Sequence, residues 1–273
     1  MNEILILGAP GKTGRRVVRL LRAEGEGERV RPASRSSEVR FDWSEPGTWE
    51  NALRGAEAVY LVAPDDPAPV HDFVKRAADV KRFVVLSGRG LDLVGEDFGQ
   101  GMAVAERAVR DSGAEWTILR ANNFNQNFDE DLWHAPLRAG RLALPIGDVP
   151  EPFVDVDDVA AVAVAALTRD GHAGRTYDLS GPRGVTFGEA VEIIARAAGR
   201  SIEYVELTPE AYRAELLAQG YPVVAVDALS ALFALHRAGH TAELADGVQR
   251  VLGRPPVAFE DYVAQVAATG AWS

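Results

Sequence analysis

The feature that most constrains this chain is a glycine-rich turn close to its start. A short apolar run, Glu3–Leu7, is followed directly by the sequence GAPGKTG and then by an amphipathic helical segment. The first glycine permits a tight turn, the second lets a pyrophosphate approach the backbone, and the third lets the helix pack close to the strand. The helix start also presents N–H groups and a positive dipole end to an anion. The pattern predicts a dinucleotide-binding turn made by Gly8, Pro10, Gly11, Lys12, Thr13 and Gly14.

Strand-like and helical segments alternate after this turn. Apolar β-branched runs such as Ala58–Val62 and Arg82–Ser87 are separated by amphipathic segments such as Val70–Ala78 and Met102–Asp111. This alternation predicts βαβ units and a parallel sheet. Several of the runs are apolar throughout, which is typical of strands covered by helices on both faces. We therefore predict an α/β fold, a Rossmann-type doubly wound parallel sheet with a smaller helix-rich C-terminal lobe.

The rhythm changes in the second half of the chain. Residues 122–152 are polar and have no clear period, whereas Val156–Leu167 is typical of a helix and Gly174–Ser180 of another strand. From Pro209 onward the chain is mainly helical in pattern. We predict an NAD(P)-binding domain over residues 1–150, with residues 151–180 returning to its sheet. Residues 181–273 are predicted to form a substrate-binding lobe.

Charge and composition exclude several classes of partner. The 29 Lys and Arg residues are outnumbered by 40 Asp and Glu residues, which gives a net charge of −11, and there is no cysteine. We expect no direct nucleic-acid partner, no disulfide and no thiolate metal site. No apolar stretch approaches the roughly 20 residues of a membrane span, and no signal-peptide pattern is present, so we expect a cytoplasmic monomer or homodimer that takes a small-molecule substrate. The most basic segment is the first helix, whose cations either form a solvated face or turn in part toward the cofactor: Lys12, Arg15, Arg16, Arg19 and Arg22.

The end of the second strand indicates which dinucleotide is bound. An Asp or Glu at this point usually accepts from the ribose 2′-OH of NAD. Here the chain continues Ser34-Arg35-Ser36, with no acid before Glu38. The guanidinium of Arg35 suits a 2′-phosphate, with a hydroxyl from Ser34 or Ser36, although Arg35 could also be a surface arginine in a loop. We predict NADPH as the preferred cofactor, with NADH possible.

Further candidate residues follow the other strands at the same carboxyl edge. Asp42 and Trp43 are expected near the adenine, and the next two strands close on Val62-Ala63-Pro64 and Ser87-Gly88. After the sixth strand, Asn122, Asn123 and Phe124 are expected to contact the nicotinamide or the substrate, or else to cap loop backbone. His134 is the candidate acid in this region, against the alternative of a solvated loop histidine. His236 and His240 have the spacing of a metal pair, but no HExxH motif accompanies them, so no metal site is predicted.

The motifs together resemble a known family. The segments GAPGKTG, SRS, VVLSGRG, AERAVRDSGAEWTILRANNFNQNF, EPFVDVDDVAAVAVAAL and YDLSGPRGVTFGEAVEIIARAAGR are similar to those of the NmrA-like branch of the atypical short-chain dehydrogenase/reductases. The C-terminal FEDYVAQVAATGAW resembles the ergot-alkaloid reductases of this branch. The resemblance implies NAD(P)H binding and either reduction of quinones, imines or enes, or redox sensing without turnover. It does not fix the reaction.

The resemblance also exposes a missing pair of residues. Orthodox short-chain dehydrogenases use a serine with a Tyr-x-x-x-Lys pair, in which the lysine lowers the pKa of the tyrosine that protonates the product. Ser87 stands at the serine position, but Phe98 and Met102 stand at those of the tyrosine and the lysine, and no tyrosine occurs between Tyr60 and Tyr177.

A reductase without this acid is better suited to iminium, quinone and enone acceptors than to ketones, because an iminium becomes a neutral amine and the other products are delocalised. The alternatives are a non-catalytic NADP(H) sensor that acts through a protein partner, and a cleft used for cyclisation or isomerisation.

Overall fold

The computed structural model describes residues 3–93 and 99–273. Its main element is a seven-stranded sheet in the order β3-β2-β1-β4-β5-β6-β8, in which every neighbouring pair is parallel. Its strands are β1 (Glu3–Leu7), β2 (Val30–Ser34), β3 (Val39–Arg40), β4 (Ala56–Val62), β5 (Arg82–Gly88), β6 (Glu115–Ala121) and β8 (Arg175–Leu179). The strand order reverses beside β1, which places the glycine turn at the switch point where such sheets bind ligands. The predicted doubly wound sheet is confirmed.

Helices cover both faces of this sheet. One face packs on α1 and α6 through apolar residues such as Val17 and Val159, and the other packs on α3 and α4 through residues such as Phe73 and Val109. The helices are α1 (Lys12–Ala23), α2 (Trp49–Leu53), α3 (Val70–Arg76), α4 (Gln100–Asp111), α5 (His134–Arg138), α6 (Val156–Thr168), α7 (Phe187–Ala198), α8 (Pro209–Ala218), α9 (Val223–Arg237), α10 (Gly247–Leu252) and α11 (Phe259–Ala267). Burial on both faces explains why the strands are apolar throughout.

A second apolar core lies in the smaller lobe. It includes a two-stranded parallel sheet of β7 (Arg141–Leu144) and β9 (Glu203–Glu206), which the sequence pattern did not predict. The core combines aromatic residues from 128–153 with others from 185–272, so the chain contributes to this lobe twice. The division of the chain at residue 150 stays a prediction. Within residues 3–93 and 99–273, no helix has the length and apolar character to cross a membrane.

Candidate active site

The glycine turn has the geometry that its three glycines require. Gly8 has a φ of +65°, a conformation that favours glycine, and the N–H of Gly11 donates to its carbonyl at 2.8 Å. A Cβ at Gly14 would lie 2.3 Å from the carbonyl oxygen of Gly8, so only glycine lets α1 start this close to β1. Gly11 is the N-cap of α1, the first turn carries no acidic residue, and no side chain among those described caps it. The residues present therefore fit the pyrophosphate of a dinucleotide.

Cations at the start of α1 pair with the loop that follows β6. Lys12 Nζ lies 2.6 Å from Asn127 Oδ1 and 2.5 Å from Asp131 Oδ2, and it stands over the ring of Phe124. Farther along the helix, Arg16 donates to Glu130 at 2.7 Å. The basic face of α1 is thus largely ion-paired. Lys12 is the residue of this face that also lines a cavity at the carboxyl ends of β5 and β6.

The end of β2 presents hydroxyl groups and a guanidinium. Ser34 Oγ accepts hydrogen bonds from the backbone N–H groups of Ser36 at 3.1 Å and Ser37 at 2.9 Å. Arg35 is exposed, and across the described part of the chain its guanidinium forms no hydrogen bond or ion pair. A guanidinium next to a tight serine turn fits the recognition of a phosphate monoester.

Two predicted residues follow β3 at the same edge. Asp42 Oδ1 accepts from the hydroxyl of Ser44 at 2.8 Å and from its N–H at 3.0 Å, and these bonds lower the pKa of Asp42. Trp43 donates from Nε1 to the carbonyl of Val62 at 3.3 Å and packs edge-on against Phe73. Trp43 therefore fixes the end of β3 against the end of β4.

The stretch Val62-Ala63-Pro64 lies at the end of β4 and packs against the first turn of α4. A Cβ at Gly101 would lie 1.7 Å from the carbonyl oxygen of Pro64, so glycine is required for this contact. The two elements are thereby held beside the glycine turn.

A cavity of about 280 Å³ opens at the carboxyl ends of β5 and β6. It is bounded by the start of α1 on one side and by Leu232, Leu235 and His236 of α9 on the other. Six of the predicted site residues line it: Lys12, Ser87, Gly88, Asn122, Asn123 and Phe124. A groove of about 1000 Å³ lies at the amino ends of the strands, but none of the predicted site residues lines it. Size alone therefore does not locate the site.

Ser87 is committed to a buried charge cluster beside this cavity. Its hydroxyl donates to Glu106 Oε1 at 2.7 Å, and the same carboxylate accepts from Arg120 at 2.8 and 2.9 Å and from Arg110 at 3.0 Å. Burial opposes the charge on Glu106, but the hydrogen bonds from Arg120 and Ser87 outweigh it and lower the pKa of the carboxyl. The hydroxyl proton of Ser87 is thus engaged away from any substrate.

We expect Glu106→Gln to lower the free energy of unfolding at neutral pH by about 3–5 kcal/mol, because it removes the buried carboxylate partner of Arg120 and leaves only the exposed Asp92. The pKa of Glu106 is lowered on folding from its ordinary 4.5, so the charge contributes stability above that pH and the contribution is lost as pH falls below it. Urea unfolding of the wild type and of Glu106→Gln should therefore give a difference in the free energy of unfolding that becomes smaller toward acid pH. Glu192→Gln is the matched control, because the Glu192–Arg196 pair is exposed; a difference that does not depend on pH would contradict the assignment.

His134 does not line the cavity. It begins α5, and its Nε2 lies 2.9 Å from the carbonyl oxygen of Ala271, in the smaller lobe. Of the two residues at the positions of the missing pair, Met102 lines the cavity and Phe98 lies outside the described residues. The geometry therefore gives no support to His134 as the acid.

A buried network that the sequence did not reveal closes the far wall of the cavity. Glu151 accepts from Asn122 Nδ2 at 2.8 Å, from the N–H of Asn123 at 3.2 Å and from Thr241 Oγ1 at 2.6 Å. His236 Nδ1 lies 3.0 Å from the same carboxylate. Burial opposes ionisation of Glu151, but these donors, His236 foremost, lower its pKa. The sequence pattern relates His236 only to His240, which is exposed, and the described residues hold no metal-binding group of three or more His, Asp or Glu.

The guanidinium of Arg89 connects this network to the central sheet. Arg89, directly after β5, donates to Asn122 Oδ1 at 2.7 Å and to the carbonyl of Glu243 at 2.7 Å. The residues after β5, β6 and α9 are therefore fixed relative to one another at the cavity, as a pre-organised binding site requires.

Comparison with known proteins agrees with this architecture. A family model described as NAD(P)H-binding matches residues 8–170. The chain is 36% identical over 277 residues to the (4-alkanoyl-5-oxo-2,5-dihydrofuran-3-yl)methyl phosphate reductase of Streptomyces griseus, covering 96% of this chain and 97% of the relative. It is 32% identical over 287 residues to the NAD(P)H azoreductase of Xenophilus azovorans, covering 98% and 99%.

A solved structure shows the same fold. The NADPH-dependent quinone oxidoreductase of Escherichia coli superposes with a TM-score of 0.84 at 20% identity, covering 96% of this chain and 99% of that one. The fold and the glycine turn define a protein of the Rossmann type that binds a dinucleotide. The chain belongs to the NAD(P)H-binding family, and it is an NAD(P)H-dependent oxidoreductase.

Proposed function

We propose that this protein uses NADPH to reduce a small conjugated electrophile, an enone, a quinone or an iminium, in the cavity at the carboxyl ends of β5 and β6. The observation that carries the proposal is the composition of this cavity. The exposed surface of its walls is largely apolar and includes Leu86, Phe124, Leu232 and Leu235, and Met102 stands where the resemblance places the lysine of the missing pair. Such a site holds a flat apolar ring and offers few polar groups for orienting it.

The cofactor would be held along the carboxyl edge of the sheet. Gly8, Gly11 and Gly14 allow the pyrophosphate to approach the start of α1, and Lys12 supplies a cation beside it. The hydroxyl of Ser34 and the guanidinium of Arg35 would hold the 2′-phosphate, which supports a preference for NADPH over NADH. When bound, NADPH supplies a hydride to the acceptor.

The chemistry of the cavity favours acceptors that need little help from an acid. Reducing an isolated ketone creates an alkoxide, but the hydroxyl of Ser87 is engaged by Glu106 and the thioether of Met102 has no acidic proton to donate. Two relatives support the same acceptor class by their names, one describing an alkanoyl dihydrofuranone ring and the other an azo compound. The first name describes a carbon–carbon double bond conjugated to carbonyl groups, and the second a nitrogen–nitrogen double bond.

A panel of three acceptors tests the proposal. We expect the wild-type protein to oxidise NADPH with menadione and with an N-methyl dihydroisoquinolinium salt at kcat/KM values at least about 100-fold above the value for acetophenone. This ratio is the lower end of the rate enhancement that a general acid typically contributes. NADPH oxidation is followed by the loss of nicotinamide absorbance. Faster reduction of acetophenone would contradict the proposal. Binding of NADPH without oxidation by any of the three acceptors would favour a redox sensor instead.

A further inference from the structure

The side-chain amide of Asn123 is hydrogen-bonded at one end only. Its Nδ2 lies 2.7 Å from Nε2 of His236, whereas within residues 3–93 and 99–273 no hydrogen bond reaches its Oδ1. Asn123 lines the cavity, and its Oδ1 is not among the described polar atoms that are both buried and without a partner. This oxygen is therefore accessible from the cavity, and it is an acceptor that a ligand can use.

The ring of His236 determines which end of the Asn123 amide is left for a ligand. Nδ1 of His236 lies 3.0 Å from Glu151 Oε2 and 2.9 Å from Thr241 Oγ1, and the hydroxyl of Thr241 gives its own proton to Glu151 at 2.6 Å. Both neighbours of Nδ1 are thus acceptors, so Nδ1 carries the proton of the neutral imidazole. Nε2 is then an acceptor, and Nδ2 of Asn123 donates to it. If the amide turned over, this bond would be lost, so Oδ1 stays on the side of the cavity.

Asn122 is used differently, although it directly precedes Asn123. Its Nδ2 donates to Glu151 Oε1 and to the carbonyl of Thr241, both at 2.8 Å, and its Oδ1 accepts from Arg89 at 2.7 Å. The amide of Asn122 is thus paired at both ends within the protein. Of these two asparagines, Asn123 is the one with a side-chain acceptor left for a ligand.

The position of Asn123 indicates which part of a dinucleotide it would meet. The pyrophosphate fits the start of α1, which bounds the cavity on one side, whereas Asn123 is bonded to His236 of α9 on the other side. Along a dinucleotide, a ribose follows the pyrophosphate and the nicotinamide ring forms the far end. The carboxamide of this ring carries two N–H donors, which suit the free carbonyl oxygen of an asparagine.

We propose that Asn123 Oδ1 accepts a hydrogen bond from the carboxamide N–H of the nicotinamide, and that His236, whose tautomer is set by Glu151, is a positioning residue for the Asn123 amide. The inference deepens the proposed function and rests on its placement of the cofactor. Such a bond would restrict the rotation of the nicotinamide ring and thereby select the face that delivers the hydride. No proton is transferred in this role, so it requires no acid in the cavity.

A cofactor analogue isolates this hydrogen bond. In 3-acetylpyridine adenine dinucleotide phosphate, a methyl group replaces the amide NH₂ of NADP⁺, so the donor is lost. Calorimetric titration of the full chain with each oxidised cofactor gives two Kd values without any acceptor present. We expect the wild type to bind NADP⁺ roughly two- to 13-fold more tightly than the analogue, which is the size of one hydrogen bond between neutral groups.

Two variants and a control show whether Asn123 receives this bond. Asn123→Leu keeps the approximate size of the side chain but removes Oδ1, so the ratio of the two Kd values should fall close to one. His236→Leu leaves Asn123 in place but removes the acceptor of its Nδ2, so the amide can turn over and the ratio should fall in the same direction. Asn51→Leu, at an exposed asparagine of α2, should keep the wild-type ratio.

The ratio separates recognition of the carboxamide from a structural role, because a variant that only disturbs the fold weakens binding of both cofactors alike. An unchanged ratio in Asn123→Leu, or a wild type that binds both cofactors equally, would overturn the role of Asn123. An unchanged ratio in His236→Leu would overturn the positioning role of His236. A wild type that does not bind NADP⁺ would overturn the placement of the cofactor as well. The titrations use no electron acceptor, so the proposed reaction and the role of Asn123 can fail separately.

Discussion

Gly14→Ala is expected to weaken NADPH binding roughly five- to 150-fold, the equivalent of about 1–3 kcal/mol of overpacking. The added Cβ would lie 2.3 Å from the carbonyl oxygen of Gly8 and 2.9 Å from the Cα of Ala9. Both are backbone atoms, so the glycine turn and the start of α1 must separate. The helix end that would receive the pyrophosphate then moves. Binding is measured by calorimetric titration of the purified protein with NADPH.

The control for this change is Gly47→Ala. Gly47 has nothing within 4 Å of its added Cβ and lies in the turn Pro46–Thr48, so the same chemical change there meets open space. Thermal unfolding of both variants shows how much of the Gly14→Ala effect is lost fold stability. An unaltered NADPH affinity in a folded Gly14→Ala variant would contradict the assignment of the cofactor to this turn.

The second large effect is expected at Arg35. Replacing Arg35 by alanine should raise the Kd for NADPH roughly tenfold to 150-fold, because hydrogen bonds to a charged group contribute about 1.5–3 kcal/mol. The Kd for NADH should stay within about twofold, since NADH lacks the 2′-phosphate. The ratio of the two values is therefore the diagnostic quantity, and it is obtained by titrating each cofactor separately.

Arg107→Ala is the matched control, because Arg107 is an exposed arginine on α4. Its removal alters net charge by the same amount without touching the end of β2. If Arg35→Ala and Arg107→Ala weakened NADPH binding equally, the effect would be one of overall charge. If Arg35→Ala weakened NADH and NADPH alike, the guanidinium would be positioned against another part of the dinucleotide.

The fold was predictable because its signals are local. The glycine turn, the apolar strands and the intervening helices each occupy short segments, and parallel strands bring their carboxyl ends to one edge without further information. That rule alone was enough to place Ser87, Asn122 and Phe124 around one cavity. The small sheet was missed because β7 and β9 have only four residues each and pair across almost 60 residues of chain.

The buried network around Glu151 was not predictable in the same way. Glu151 and His236 are 85 residues apart, and Asn123 approaches the same ring from a third segment. No spacing rule connects these positions. His134 was the histidine nearest to the sixth strand in the sequence, but α5 turns it toward Ala271 and the smaller lobe. Proximity along the chain was therefore a poor guide once the lobe was assembled from separate segments.

The same discontinuity has a consequence for biosynthesis. The core of the smaller lobe combines Phe128 and Phe153 with Phe259 and Trp272, whose indole donates to the carbonyl of Phe128 at 2.8 Å. On the ribosome, the central sheet can be complete once β8 has emerged, whereas this lobe must wait for residues beyond α11. A nascent chain would thus expose an aromatic surface for the time needed to translate about 90 further residues. During that interval the exposed aromatic surface would be available for a chaperone to bind.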